Sequence, residues 1–399
     1  MLSSQTLPKY SPKVWKTLTQ WLHSKKEYKP EYLAEPEPRA AIEESSRILS
    51  APLKELSVKQ EIPAELTAAL ESNVFFFSGF KTHHELVEAS KLLKDENGNF
   101  KPFNRFLKDV ATIDDTYNRN YLNAEYNFAT ASSQMAVKWK EWEADGDDYD
   151  LQYRTAGDDR VRDEHASLNN TTLPPSDPFW KSYLPPNGWN CRCTTVQVRK
   201  GKYPKSDSEK AVAKGNAMTD TPKKQIFRFN PGAQEKIFPP KHPYYKAEDI
   251  VREALEKINL SKVSKETREY INNNIDKTIS YSIDRGVKNK GTGVLRLDNG
   301  GIRSCLKSGS HSKSIESKWA FVKAIESPDK LKHLERAKLG KGKDKSNPSD
   351  LKNIKDKEKR GVTAYNYYEF IYNDKKWIIG LEVIKDEYEQ PYFIALKKK

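Results

Sequence analysis

The stretch Leu151-Gln152-Tyr153-Arg154-Thr155-Ala156-Gly157-Asp158-Asp159-Arg160-Val161-Arg162-Asp163-Glu164-His165-Ala166-Ser167-Leu168 decides how this chain is read. It belongs with the segments that follow, Pro178-Phe179-Trp180, Pro185-Pro186-Asn187-Gly188-Trp189 and Asn190-Cys191-Arg192-Cys193. Together they read as strand, short helix and long Pro/Asn/Gly loop, closed by the strand candidate Thr194-Thr195-Val196-Gln197-Val198. Cys-x-Cys puts two soft thiolates on one side of a short extended segment, with His165 upstream. With one carboxylate from Asp158, Asp159 or Asp163, these three could complete a tetrahedral structural zinc site. The spacing permits zinc without requiring it. The other reading is a metal-free hydrogen-bonded cluster in which Asp159 pairs with Arg162 or Arg192. A catalytic zinc finds less support, because no second histidine is nearby. Arg154, Arg160, Arg162 and Arg192 offer planar forks that suit phosphate as a secondary role.

The ordered pattern T-x-x-D-x-R-V-R-x-x-H-x-x-L, the Pro-rich loop and the terminal N-C-R-C resemble the minor head protein family of tailed phages, the Mu F-like or phage head morphogenesis family. The matching positions are Thr155, Asp158, Arg160, Arg162, His165, Asn190, Cys191 and Cys193. Upstream, Phe77-Ser78-Gly79-Phe80-Lys81-Thr82 and a helix over Tyr117–Trp142 look like the region that precedes the signature, so the resemblance covers roughly residues 40–200. It implies a virion component in the interior of the head near the portal. Such a protein works in head assembly with the portal and other head proteins as partners, and passes through the host cytoplasm during assembly. It does not imply an enzyme.

Working outward, 399 residues suggest two or three domains. The chain is polar, with a mean hydropathy of -0.86, yet its 11% aromatic content is too high for a disordered one. Apolar runs such as Phe75-Phe76-Phe77 are far short of the roughly 20 residues of a membrane span, so no membrane partner is expected. The start, Met1 to Lys9, lacks a secretory pattern, and a cytoplasmic protein is expected. Three cysteines are too few for a disulfide framework, which leaves packing or a metal to stabilise the fold.

The expected class is a multidomain α+β protein. Residues 1–39 read as an N-terminal arm with one helical anchor around Val14–Leu22, and the chain stays mainly helical to residue 145. Tyr117, Tyr121, Ala124, Phe128, Ala131, Met135, Trp139 and Trp142 step by three or four, one apolar stripe on a long helix. Residues 40–200 form the head morphogenesis domain and 201–245 a Pro-rich linker. Residues 246–399 are a basic α+β module, with helices over Glu248–Ile258, Lys262–Ile275 and Glu316–Ile325, a mobile loop over 338–361 and a three-stranded meander at the end.

Of the formal charge of +13, residues 246–399 carry +11. A field so placed points to a polyanionic partner, RNA or packaged DNA. The order of elements, the charge and the aromatic strands loosely resemble the barnase/EndoU/colicin/RelE-like ribonucleases. That resemblance implies metal-independent chemistry, in which a His or Glu takes the ribose 2′-OH proton and a Lys or Arg stabilises the phosphorane. The candidates are His333, His311, Arg336, Lys338, Thr363 and Tyr365, with Tyr365, Tyr367 and Tyr372 available to stack bases. The alternative is a purely structural protein whose basic module binds DNA or the portal without catalysis. A metal-dependent enzyme on the central domain would rest on His165 and the cysteine pair alone.

Overall fold

Prolines stand at the start of the first three α-helices. Pro12 opens α1 (Pro12–Lys25) and Pro36 opens α2 (Pro36–Lys59), while Pro63 caps α3 (Ala64–Lys91). At these positions the missing N–H has no intrahelical partner to lose. The computed structural model describes residues 8–278, 280–285, 291–306, 314–341, 343, 346–373, 375–385 and 387–397. It divides into two compact units, Met1–Glu256 and Lys257–Lys399, an α+β protein in two parts. No helix among the described residues is long and apolar enough to cross a membrane.

In the first unit, α1 buries Trp15, Leu18, Trp21 and Leu22, so the described part of the expected arm is packed. The short helices expected at Ala40–Leu49, Pro63–Leu70 and Leu86–Leu93 belong to just two, α2 and α3. The run Phe75-Phe76-Phe77-Ser78-Gly79 has no helical periodicity because α3 buries residues around much of its circumference, and such a helix shows no single stripe. Gly79 is not a break. A Cβ there would fall on Leu255.

Two short helices, α4 (Phe103–Asp109) and α5 (Ala111–Asp114), lead into a π-helical turn, Asp115–Tyr121, and then α6 (Leu122–Asp145). The expected stripe holds for Tyr117, Phe128, Met135, Trp139 and Trp142, which are buried, while Tyr121 is 47% exposed. The wider π turn rotates the face at that point, and Leu122 takes the buried position.

The chain then forms β1 (Tyr149–Arg154), α7 (Asp163–Ala166), β2 (Thr172–Leu173), α8 (Phe179–Tyr183) and β3 (Thr194–Arg199). The sheet is antiparallel in the order β2-β1-β3. Its core joins Trp139 and Trp142 of α6 to Leu151, Tyr153, Phe179 and Trp180.

Residues 201–245 are packed, which differs from the irregular linker expected there. They carry α9 (Ser208–Met218) and α10 (Pro222–Gln225), and bury Phe227, Phe229, Ile237 and Phe238. Phe238 stacks on Phe77 with centroids 3.7 Å apart. Asn230 accepts from the Gly232 and Ala233 N–H groups and donates to the Trp180 carbonyl. The proline content marks irregular backbone, but buried aromatics and a satisfied buried amide hold that backbone in place.

In the second unit α11 (Asp249–Asn274), which starts in the first, is one helix where two were expected. There follow β4 (Tyr281–Asp284), β5 (Thr292–Leu295), α12 (Asn299–Leu306), α13 (Ile315–Glu326), β6 (Lys332–Lys338), α14 (Pro348–Lys359), β7 (Val362–Tyr372), β8 (Lys375–Ile384) and β9 (Tyr388–Leu396). The expected meander is β7-β8-β9, set inside a six-stranded mixed sheet ordered β4-β5-β9-β8-β7-β6. Among the described strands only β5 and β9 pair in parallel. β6, Lys-His-Leu-Glu-Arg-Ala-Lys, lacks an apolar alternation because it is a charged edge strand. Within the expected loop over 338–361 lies α14, whose signal was Asn347-Pro348: the Asn347 side chain accepts from the Ser349 and Asp350 N–H groups.

Between α3 and α6, Lys81 and Glu125 form a buried ion pair at 2.6 Å. One turn along α3, Glu85 is 1% exposed. Burial pushes its carboxyl up to about 8, with Lys81 opposing and Glu125 adding to the shift. The folded state therefore keeps a proton that the unfolded chain releases near pH 4.5, and stability falls as pH rises from there to about 8. Urea denaturation at pH 5, 6.5 and 8 should show this decline at up to about 1.4 kcal/mol per pH unit, flattened in Glu85→Gln. Parallel pH profiles for the two proteins would refute it.

Candidate functional site

The pairing of β1 with β3 brings the two halves of the signature together. Arg154, the last residue of β1, sits opposite Thr194, the first of β3. The loop after β1 thus lies beside Asn190-Cys191-Arg192-Cys193. His165 follows on α7, where its N–H donates to the Arg162 carbonyl at 2.9 Å, and it is 4% exposed. Tyr153 donates its hydroxyl to the Asn187 side-chain oxygen at 3.0 Å, tying the centre of β1 to the proline loop. Asn190 takes a left-handed conformation (φ 56°), which Asn tolerates better than most residues, and turns the chain into Cys191. A Cβ on Gly188 would lie 2.9 Å from Arg162 Nη1, so glycine leaves room for this guanidinium, which donates to the Trp189 carbonyl at 2.6 Å.

His165 Nδ1 lies 3.6 Å from the Sγ atoms of both Cys191 and Cys193. All three ligand atoms fall within 4.8 Å of one another, the one such group of His, Cys, Asp or Glu among the described residues. Zinc bonds of about 2.3 Å to sulfur and 2.0–2.1 Å to nitrogen, at tetrahedral angles, set nitrogen and sulfur roughly 3.6 Å apart. The donor spacing therefore fits zinc, and these three residues could hold one. With a metal on Nδ1 the ring proton sits on Nε2, 3.4 Å from Arg162 Nη1, and that contact must open. Without a metal, Nδ1–H faces the sulfurs and Nε2 accepts from Arg162.

The two thiols are pulled in opposite directions. The hydrogen bond from Cys193, helped by His165, holds the Cys191 thiol well below the ordinary thiol range against the opposing effect of burial. Donation to Cys191 and burial push Cys193 up.

The aspartates stand apart from the sulfurs. Asp158 receives both Nη atoms of Arg192 at 2.5 and 2.6 Å, which holds its carboxyl well below the usual range. Asp159, expected as a fourth ligand or as the partner of Arg162 or Arg192, is exposed and lies outside the ligand group, as does Asp163. The arginine partner is its neighbour Asp158, because the turn at Gly157 (φ 73°) aims that carboxylate at Arg192. Thr155 is tied through its N–H to the Asn169 side chain. Ala156, Arg160, Val161, Arg162, His165, Asn190, Cys191, Arg192 and Cys193 line a pocket of about 320 Å³.

Residues 97–196 match the family model described as Phage Mu protein F like protein. This segment is Mu F-like. The match holds all of the signature; residues 40–96, which the resemblance also took in, lie outside it. Among curated relatives, the "Putative capsid assembly protein F" of Escherichia phage Mu is 41% identical over 69 residues, 17% of this chain and 16% of the relative. The Mu-like prophage FluMu F protein of Haemophilus influenzae is 36% identical over 64 residues, 14% of this chain and 16% of the relative. The chain thus spans about a sixth of the length of these Mu F-like relatives. No solved structure matches it.

In the second unit the expected catalytic residues do not gather. His333, Arg336 and Lys338 stand on the edge strand β6. His333 packs edge-on against Tyr368 at 5.2 Å, and Arg336 is exposed opposite Asn366. Tyr365 is three residues from Tyr368 and so on the other face, under α14, where Lys357 donates to its hydroxyl at 2.7 Å. Its ring is buried and offers no face to a base. Thr363 is exposed at a bulge between Val362 and Ala364. His311 lies outside the described residues.

Two buried groups went unread. Glu389 takes Arg285 at 2.5 Å and the Tyr368 hydroxyl at 2.9 Å. Glu382 receives Lys357 and Arg360, each at 3.2 Å. Their signal was a lone carboxylate within an apolar strand, as in Leu381-Glu382-Val383.

In the metal-free chain at pH 7, iodoacetamide should alkylate Cys191 first. Cys193 and Cys305 should lag, Cys305 because burial pushes its thiol well up. His165→Ala should slow Cys191 several-fold; equal rates at all three thiols would contradict the lowered Cys191 thiol.

Proposed function

We propose that the protein acts in phage head morphogenesis as a minor head component, inside the head near the portal, with the portal and other head proteins as partners. The observation that carries this reading is the Mu F-like segment, which contains the whole signature and folds it round one cluster of side chains. In that cluster His165, Cys191 and Cys193 hold a structural zinc, which pins the proline loop to β1 and β3. Metal analysis of the purified full chain should give close to one zinc per molecule, lost in His165→Ala. Less than about a tenth of an equivalent in the unaltered chain sinks the zinc reading.

The basic second unit, in this reading, binds nucleic acid, RNA or packaged DNA, without cleaving it. The support is exposed charge on the edge strand and on α14, together with catalytic candidates divided between two faces of a sheet. A metal-independent ribonuclease is the second reading, favoured by His333 and Arg336 standing on one strand and one face. Incubating the full chain in EDTA with total RNA, tRNA and duplex DNA separates them. Binding that weakens steeply with salt and leaves the strands intact supports the binding module. Cleavage of RNA that His333→Gln and Arg336→Ala both abolish establishes the ribonuclease.

A further inference from the structure

A closed structural zinc site takes four protein ligands, and this cluster supplies three. The nearby carboxylates are accounted for. Asp158 is clamped by Arg192, and neither Asp159 nor Asp163 falls within the ligand group. The pocket of about 320 Å³ beside the cluster counts His165, Cys191 and Cys193 among its lining residues.

The rest of that lining carries its own chemistry. A divalent ion with two thiolates and a neutral imidazole has no net charge, so the field in the pocket is set by its rim, where Arg160, Arg162 and Arg192 stand. Arg192 is neutralised by Asp158, and Arg162 is held by the Trp189 carbonyl. Arg160 has its side chain 75% exposed and, among the described residues, makes one long 3.5 Å ion pair, with Asp158, which leaves it able to turn toward an incoming group. Guanidinium forks match the paired oxygens of phosphate and carboxylate, and a metal bound by two thiolates accepts one more oxygen donor.

We propose that the metal held by His165, Cys191 and Cys193 keeps one coordination position open to this pocket, and that the position takes an oxyanion, phosphate or carboxylate, from outside the chain. The proposal rests on the metal reading given above. Its consequence is that the signature's Arg160 and its cysteines serve one site: the sulfurs hold the ion and Arg160 helps select what completes its shell.

The test replaces zinc by cobalt(II) in the full chain and follows the visible absorption. Thiolate-to-cobalt charge-transfer and d–d bands report that the metal is bound. Phosphate, acetate and chloride are then added at equal ionic strength. A saturable band shift with phosphate or acetate, absent with chloride, is expected, and the tighter of the two identifies the oxyanion. Arg160→Ala should weaken that shift about tenfold while leaving cobalt affinity unchanged. Cobalt bands that no anion moves would mean a fourth ligand from within the chain, overturning the proposal while the metal reading stands. A shift that chloride reproduces would overturn the oxyanion selectivity. No cobalt bands at all would remove the metal reading and this proposal with it.

Discussion

The register of β1 against β3 is the constraint on which the central part of this protein depends. Six consecutive pairs run from Tyr149 opposite Arg199 to Arg154 opposite Thr194. Because side chains alternate along a strand, a slip of one residue would turn Leu151 and Tyr153 out of the core formed with Trp139, Trp142 and Trp180. The same slip would pull the Tyr153 hydroxyl from Asn187 and move Cys193 away from His165. The aromatic core behind the sheet therefore fixes the register, and the register fixes the site. The chain before and after the signature adds to that core: α6 supplies Trp139 and Trp142, and α9 supplies Ala211 and Met218.

Charge is handled differently in the two halves of the first unit. Around the cysteines two of the cations have separate assignments, Arg192 to Asp158 and Arg162 to a carbonyl, at the surface where water screens the cost of holding them. Among the helices, Lys81 and Glu125 are fully buried and depend on each other, so removing either leaves an uncompensated charge. Beside them Glu85 stays protonated well above the usual carboxyl range. That interior is pH-sensitive for structural reasons, with stability falling as pH rises, whereas at the rim the lowered Asp158 carboxyl loses its contribution only as pH falls.

In the second unit the long strands β7, β8 and β9 are dictated by β-branched and aromatic residues. They carry buried carboxylates that need cations from elsewhere: Glu389 takes Arg285 from just beyond β4, and Glu382 takes Lys357 from α14 and Arg360 from the cap that follows it. Some of the basic residues of this half thus serve buried carboxylates, while the net positive charge, which already counts those carboxylates, is left unchanged. Lys357 also lies 3.9 Å from the Tyr392 ring centroid and holds α14 to the sheet.

The sequence by itself determined the α+β class, the apolar stripe of α6, the signature with its histidine and two cysteines, and the three strands at the end. Each is a local pattern: a period of residues, a turn motif or a fixed spacing. It misjudged the lengths of α2, α3 and α11, the packing of residues 201–245 and the strand character of β6. A helix buried around much of its circumference and a charged edge strand both lack the one-sided periodicity by which elements are recognised. Only the tertiary structure decided that Asp158 and not its neighbour Asp159 meets Arg192, and that Tyr365 and His333 face opposite sides of their sheet. It alone set His165 Nδ1 at 3.6 Å from two sulfurs more than 25 residues away. Spacing along the chain limits which residues can meet; the strand register and the turns at Gly157 and Asn190 decide which of them do.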